Sequence, residues 1–118
     1  MADDTFTIGL VQQACVEDRQ VNLERAVAGI REAATRGAQI VCLQELFSSP
    51  YFCQTESADR FDLAEPIPGP TVEALQTTAK KLGVVLIVPI FERRAAGVYH
   101  NSAVVLDADG SRDRKSVV

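Results

Sequence analysis

Apolar and polar positions alternate at the start of the chain. Phe6, Ile8 and Leu10 are separated by Thr7 and Gly9 and followed by Val11, which predicts a strand. The period then changes. Leu23, Ala26, Val27, Ile30 and Ala34 recur at the spacing of one helical face, so a helix is expected from Val21 or Asn22, capped by Asp18 and ended by Gly37 in the left-handed conformation. Glu24, Arg25, Arg31, Glu32 and Arg36 fall mainly on the opposite face and read as solvated charge. Residues 39 to 44 give a second, apolar strand. A second helix opens at Pro70 or Thr71, carries Val72, Leu75, Ala79 and Leu82 on its apolar face, and ends at Gly83. Val84 to Ile90 is rich in β-branched residues and reads as a strand buried on both faces. Glu92 to Gly97 is a polar connection suited to a hairpin, Tyr99 to Leu106 is a further strand, and Asp107-Ala108-Asp109-Gly110 is a turn.

The order strand, helix, strand, loop, helix, strand, strand predicts an α/β fold. Its helix-linked strands should be parallel with right-handed crossovers, and its last two strands antiparallel. Between the second strand and the second helix lies an irregular segment, residues 46 to 69, closed by Pro66, Pro68, Gly69 and Pro70. Connections in compact domains have a median of about 4–6 residues, so a segment this long is expected to be functional or partly helical. Two helices cannot cover both faces of four strands. An uncovered apolar face is therefore expected, and with it poor solubility or marginal folding of the chain alone.

Composition narrows the function classes. At 118 residues the chain is one domain at most. A formal net charge of −4 disfavours a nucleic-acid partner. The longest apolar run, Val84 to Phe91, is eight residues and contains Pro89, whereas a membrane span needs about 20. The start, Met-Ala-Asp-Asp-Thr, has neither the basic region nor the apolar stretch of a secretory signal, and a cytoplasmic location is expected. Three widely spaced cysteines and one histidine, His100, do not make a zinc motif. The turn after the first strand, Gln12-Gln13-Ala14-Cys15-Val16, lacks the glycines of a dinucleotide or triphosphate loop.

The candidate chemistry centres on Glu45, a lone carboxylate where the second strand should end. Ligands of open α/β sheets collect at the carboxyl ends of strands. Desolvation at such a position pushes a carboxyl pKa up toward working pH, which suits a general base. Cys42, inside the strand, reads as a small buried hydrophobe and Cys15 as a packing residue. Cys53 lies eight residues beyond Glu45 and is an alternative nucleophile if the loop brings the two together. Tyr51 and Phe52 either line a pocket or pack beneath the loop, with Tyr51 the better substrate contact. His100 invites a catalytic role but sits inside a strand.

Gln44-Glu45-Leu46-Phe47, followed by Pro50-Tyr51-Phe52-Cys53-Gln54, resembles the first catalytic segment of the carbon–nitrogen hydrolase (nitrilase) superfamily. Ile8-Gly9-Leu10-Val11-Gln12, Gly37-Ala38-Gln39-Ile40-Val41, Pro68-Gly69-Pro70-Thr71, Leu82-Gly83-Val84-Val85, Tyr99-His100-Asn101-Ser102-Ala103 and Asp107-Ala108-Asp109-Gly110 match in the same order, over roughly residues 5 to 111. Within the superfamily the chain looks most like the N-carbamoylputrescine amidases. The resemblance implies that residues 1–112 are the N-terminal part of a four-layer α-β-β-α sandwich. It implies a Glu-Lys-Cys site of which only Glu45 is present, the Lys and Cys lying in segments further along, so the chain alone is expected to be inactive. It also implies hydrolysis of a small-molecule amide or carbamoyl amine, foremost N-carbamoylputrescine to putrescine, carbon dioxide and ammonia, without metal or organic cofactor. Tyr51 would bind substrate, Asn101 and Ser102 would be hydrogen-bonding structural residues near the site, and the full-length protein would be a homo-oligomer. A related ω-amidase or nitrilase-type amidase is the nearest alternative. A complete, non-catalytic α/β binding module of flavodoxin-like layout is the alternative of another class.

The last residues stand apart. Asp113-Arg114-Lys115-Ser116-Val117-Val118 tempts a match of Arg114-Lys115 to the family's catalytic Lys strand, but the spacer after Gly110 is short and the His and Pro that should follow are missing. The codons GAT CGG AAG AGC GTC GTG TAG, a common sequencing-library adapter, translate to the same six residues and a stop. Residues 113–118 are therefore expected to be a non-native tail that makes no defined packing contacts. The raw nucleotide read checks this origin: the adapter string is expected at these codons, and any other codon choice overturns it.

Overall fold

The elements run β1 (Ile8–Val11), α1 (Arg19–Thr35), β2 (Ile40–Leu43), a 3₁₀ helix (Ala58–Leu63), α2 (Pro70–Leu82), β3 (Val85–Ala95), β4 (Val98–Leu106) and β5 (Arg112–Val117). They are taken from a computed structural model that describes residues 5–49 and 58–117. The five strands form one sheet in the order β1-β2-β3-β4-β5. The first two pairings are parallel and the last two antiparallel, as expected. A flavodoxin-like module would order its strands 2-1-3-4-5, so the layout departs from that alternative.

Each helix is bounded by a physical signal. Asp18 Oδ1 accepts hydrogen bonds from the N–H groups of Gln20 at 2.9 Å and Val21 at 3.3 Å. The helix therefore begins at Arg19, ahead of its first apolar residue, because the cap sets the start. Gly37, at φ 95°, takes the chain out of α1 as expected. Pro70 opens α2, Glu73 stands in its first turn, and Lys80 and Lys81 in its last, each matching the helix dipole. Strand order that keeps moving in one direction, with right-handed crossovers, carries both helices to the same face. There Ala26 and Ile30 of α1 and Val72, Leu75 and Ala79 of α2 pack on Val41, Leu43, Leu86, Val88, Ile90, Val104 and Leu106. The approach of α1 to β1 is close enough to require glycine. A Cβ at Gly29 would lie 2.6 Å from Val11 Cγ1, and one at Gly9 2.8 Å from Ala33 Cβ.

Among the described residues no helix lies over the other face. Leu10, Cys42, Ile87 and Val105 stand side by side across β1 to β4 in register, with Leu10 79% and Val105 40% exposed. The expected uncovered apolar face is therefore present. The expectation that residues 84–90 are buried on both faces is corrected: alternate residues Leu86, Val88 and Ile90 are buried, while Val85, Ile87 and Pro89 are half-buried.

Two further expectations change. The segment Glu92–Gly97 is not a loop, since β3 continues to Ala95 and turns at Ala96-Gly97. Glu92 stays in the ladder because its carboxylate is buried and accepts a hydrogen bond from Ser102 Oγ at 2.8 Å. The tail is not without contacts either. Residues 112–117 form β5, paired from Arg112 opposite Leu106 to Val117 opposite Asn101. An unpaired edge of β4 offers backbone donors and acceptors to any extended segment, so the pairing says nothing of the tail's origin.

Within the 46–69 segment the chain is partly helical, as expected, over Ala58–Leu63. It is then tied to the sheet at Glu65, whose N–H donates to Phe91 O at 2.9 Å and whose carbonyl accepts from Arg93 N–H at 2.7 Å. The buried Glu65 carboxylate accepts from the backbone N–H of Thr71 at 3.2 Å and its hydroxyl at 2.8 Å, and pairs with Arg19 at 2.6 Å. Gly69, the residue before α2, has no side chain to cap the helix, so Glu65 supplies the cap from the preceding loop. Replacing Glu65 with Ala is expected to lower unfolding free energy by about 2–3 kcal/mol, the range for buried hydrogen bonds to a charged group. Arg19→Ala should cost below about 1 kcal/mol because that guanidinium is partly exposed. Chemical denaturation of the two variants checks the ranking.

Candidate active site

β2 is the middle of the three parallel strands, and Glu45 lies just past its carboxyl end in a turn over residues 45–48. Leu46, next in the chain, holds φ 56°. That conformation costs a non-glycine residue about 1–3 kcal/mol, and burial of the Leu46 side chain to 5% exposure offsets it.

Polar side chains from the loop after β1 and from the first turn of α1 hold this turn. Gln44 Oε1 accepts from Gln13 N–H at 2.7 Å. Gln13 Nε2 donates to the carbonyls of Asn22 at 2.9 Å and Phe47 at 3.4 Å. Asn22, fully buried, donates through Nδ2 to Val16 O at 2.6 Å and Ser48 O at 2.9 Å, while its Oδ1 accepts from Val16 N–H at 2.8 Å. Cys15 does more than pack, because its thiol donates to Phe47 O at 3.0 Å and accepts from Gln44 Nε2 at 3.5 Å.

The Glu45 carboxylate projects on the uncovered side of the sheet. It lines two adjoining hollows, one shared with Leu10, Gln12 and Cys42, the other with Pro89, Asn101, Ser102 and Ala103. Its Oε1 accepts a hydrogen bond from Asn101 Nδ2 at 2.7 Å. The expected place at a strand end beside a concavity is what the structure has. The expected burial is not: Glu45 is exposed, because none of the described residues forms a second layer over that face. The site as it stands can accept a proton from a group brought into either hollow.

The other sequence candidates divide. Asn101 comes to Glu45. Ser102 points the opposite way, buried, and anchors to Glu92. His100 shares the helix-side face with Ser102 and stands opposite Glu92 in the ladder, away from Glu45. Cys42 is half-buried on the uncovered face, not in the core. Tyr51, Phe52 and Cys53 lie outside the described residues. Among the described residues no three His, Cys, Asp or Glu side chains come together as metal ligands, and no helix is long and apolar enough to cross a membrane.

Sequence reasoning passed over Gln13, Asn22, Glu65 and Glu92. Asn22 had a signal, since it falls four residues before Ala26 on the buried stripe of α1. Glu92 had one too, sharing the parity of Leu86, Val88 and Ile90. An acid or amide at an apolar position of the period announces a buried polar partner.

Comparison with known proteins gives the frame for this arrangement. The family model for carbon-nitrogen hydrolase matches residues 7–117. N-carbamoylputrescine amidase of Solanum lycopersicum is 42% identical over 106 residues, which is 89% of this chain and 35% of that protein. Omega-amidase NIT2 of Homo sapiens is 37% identical over 108 residues, 91% of this chain and 37% of that one. Among solved structures, a carbon-nitrogen hydrolase from Helicobacter pylori G27 matches with a TM-score of 0.87 at 36% identity, over 94% of this chain and 39% of that chain. The chain thus spans little more than a third of the length of these relatives.

The turn that carries Glu45 is expected to fail when its buried amide is removed. Asn22→Ala strips three hydrogen bonds from a fully buried amide, two to Val16 and one to Ser48, and a loss of about 3 kcal/mol in unfolding free energy is expected. Urea denaturation measures it, and a loss under about 1 kcal/mol would remove Asn22 from this role.

Proposed function

The chain belongs to the carbon–nitrogen hydrolase family, and from that premise we propose that the whole protein hydrolyses N-carbamoylputrescine to putrescine, carbon dioxide and ammonia, with Glu45 as the general base. The observation that carries the substrate is the gradient of identity. Over nearly the same stretch the chain is 42% identical to the tomato N-carbamoylputrescine amidase and 37% to the human omega-amidase.

Chemically, Glu45 takes the proton of a cysteine thiol as the sulfur attacks the carbamoyl carbon. A lysine steadies the oxyanion of the tetrahedral intermediate. As the carbon–nitrogen bond breaks, Glu45 returns that proton to the departing amine; it then takes a proton from the water that attacks the acyl-enzyme and gives it back to the cysteine sulfur as the thiol leaves. Both the cysteine and the lysine belong to segments beyond residue 112. Base assistance of this kind is worth roughly 10²–10⁴-fold in rate. Tyr51 contacts the substrate, and the full-length enzyme is a cytoplasmic homo-oligomer. An ω-amidase activity is the second reading, supported by the omega-amidase relatives at 36–38% identity.

The purified 118-residue chain is expected to release no ammonia from N-carbamoylputrescine. Turnover that vanishes in Cys53→Ala would overturn that expectation and make Cys53 the nucleophile. The full-length protein, recovered by sequencing the gene past codon 112, is expected to turn over N-carbamoylputrescine faster than an ω-amide of a dicarboxylic acid. It should lose about 10²–10⁴-fold in kcat on Glu45→Gln. The opposite substrate preference favours the ω-amidase reading, and an unaffected kcat removes Glu45 from the chemistry.

A further inference from the structure

We propose that Asn101 is the positioning residue of the base, holding one oxygen of the Glu45 carboxylate so that the other faces the hollow and receives the proton. This rests on the reading of Glu45 as general base.

The contact itself is short. Asn101 Nδ2 and Glu45 Oε1 are 2.7 Å apart, although 56 residues separate them in the chain. That is the length of a hydrogen bond strengthened by a charged acceptor. Asn101 has a rigid mount. It lies inside β4, with Phe91 of β3 opposite it in the ladder. The next residue, Ser102, is buried on the helix side and donates to Glu92 Oε1 at 2.8 Å. Successive side chains of a strand point to opposite faces, so the Ser102–Glu92 bond fixes which way Asn101 points. The base has a less certain mount of its own. Its backbone is held by the Gln13, Gln44 and Asn22 network, but its side chain is exposed and has several rotatable bonds. The bond to Asn101 selects among the conformations left open.

The choice of an amide suits the task. A primary amide donates a hydrogen bond but does not take up a proton at neutral pH, so it orients a carboxylate without competing as a base. A lysine at this place would bring a full charge, and an aspartate would offer no donor. Both Glu45 and Asn101 line the same hollow with Pro89 and Ala103, so the oriented carboxylate faces space a reacting group can enter.

The test uses Asn101→Asp and Asn101→Ala in the full-length protein. Aspartate keeps the shape of the side chain, removes the donor and adds a negative charge beside Glu45, whereas alanine removes the donor without adding a charge. If Asn101 positions the base, both variants lower kcat about 10–100-fold, the scale of a misplaced catalytic group, with KM within about twofold, and Asp is no better than Ala. If Asn101 does not hold Glu45, Ala retains wild-type kcat, and the proposal is overturned. Should a variant fail to fold, the side-chain amide of Asn101 is read by NMR in the full-length protein. One of its two protons is expected to be shifted downfield and to return toward the free-amide position in Glu45→Ala, and an unchanged signal overturns the contact. The two readings fail separately. A harmless Glu45→Gln removes the base assignment. A crippling Glu45→Gln with a harmless Asn101→Ala removes the positioning role alone.

Discussion

The strand order β1-β2-β3 keeps moving in one direction, so right-handed crossovers place α1 and α2 on a single face of the sheet. Everything else in the molecule takes its orientation from that asymmetry. Because side chains alternate along a strand, one parity of each strand enters the helix-side core and the other faces outward. In β3 the inward set is Leu86, Val88, Ile90 and Glu92. In β4 it is Ser102, Val104 and Leu106. Asn101 is outward for the same reason that Ser102 is inward, and Glu45 meets it there.

The carboxylates sort in an instructive way. Glu65 and Glu92 are buried and bonded, one capping α2 across the loop and the other holding β3 to β4. Glu45 is exposed and keeps one short contact. The two acids that carry structure are those with their hydrogen bonds made inside the protein, as buried charge requires. The acid assigned to chemistry stands at the rim of two hollows.

Much of this was legible in the chain. The strand and helix periods of residues 6–11, 23–34 and 72–82 lie where the elements are, and Gly37 and Gly83 stand at the helix ends with positive φ. The place of Glu45 beyond β2 was legible from a strand followed by an acid. What was not legible came from tertiary partners. The helix start at Arg19 depends on the Asp18 cap, and the length of β3 depends on the Glu92–Ser102 bond. The backbone pairing of residues 112–117 needs only a free neighbouring edge. Burial of Glu45 was expected from the strand around it, yet exposure is decided by what lies over the face. The bond between Glu45 and Asn101 joins residues whose proximity no local period encodes.

The row Leu10, Cys42, Ile87 and Val105 and the Glu45 carboxylate share one surface and one exposure to water. A layer laid over that surface gains hydrophobic free energy from the row, and in the same motion dries the hollow in which the carboxylate stands. On the proposed reading of Glu45 as base, maturation of the fold and arming of that base are a single event. On that reading a nascent or partly folded chain carries its acid facing water, and reactivity appears only once the molecule has closed over it.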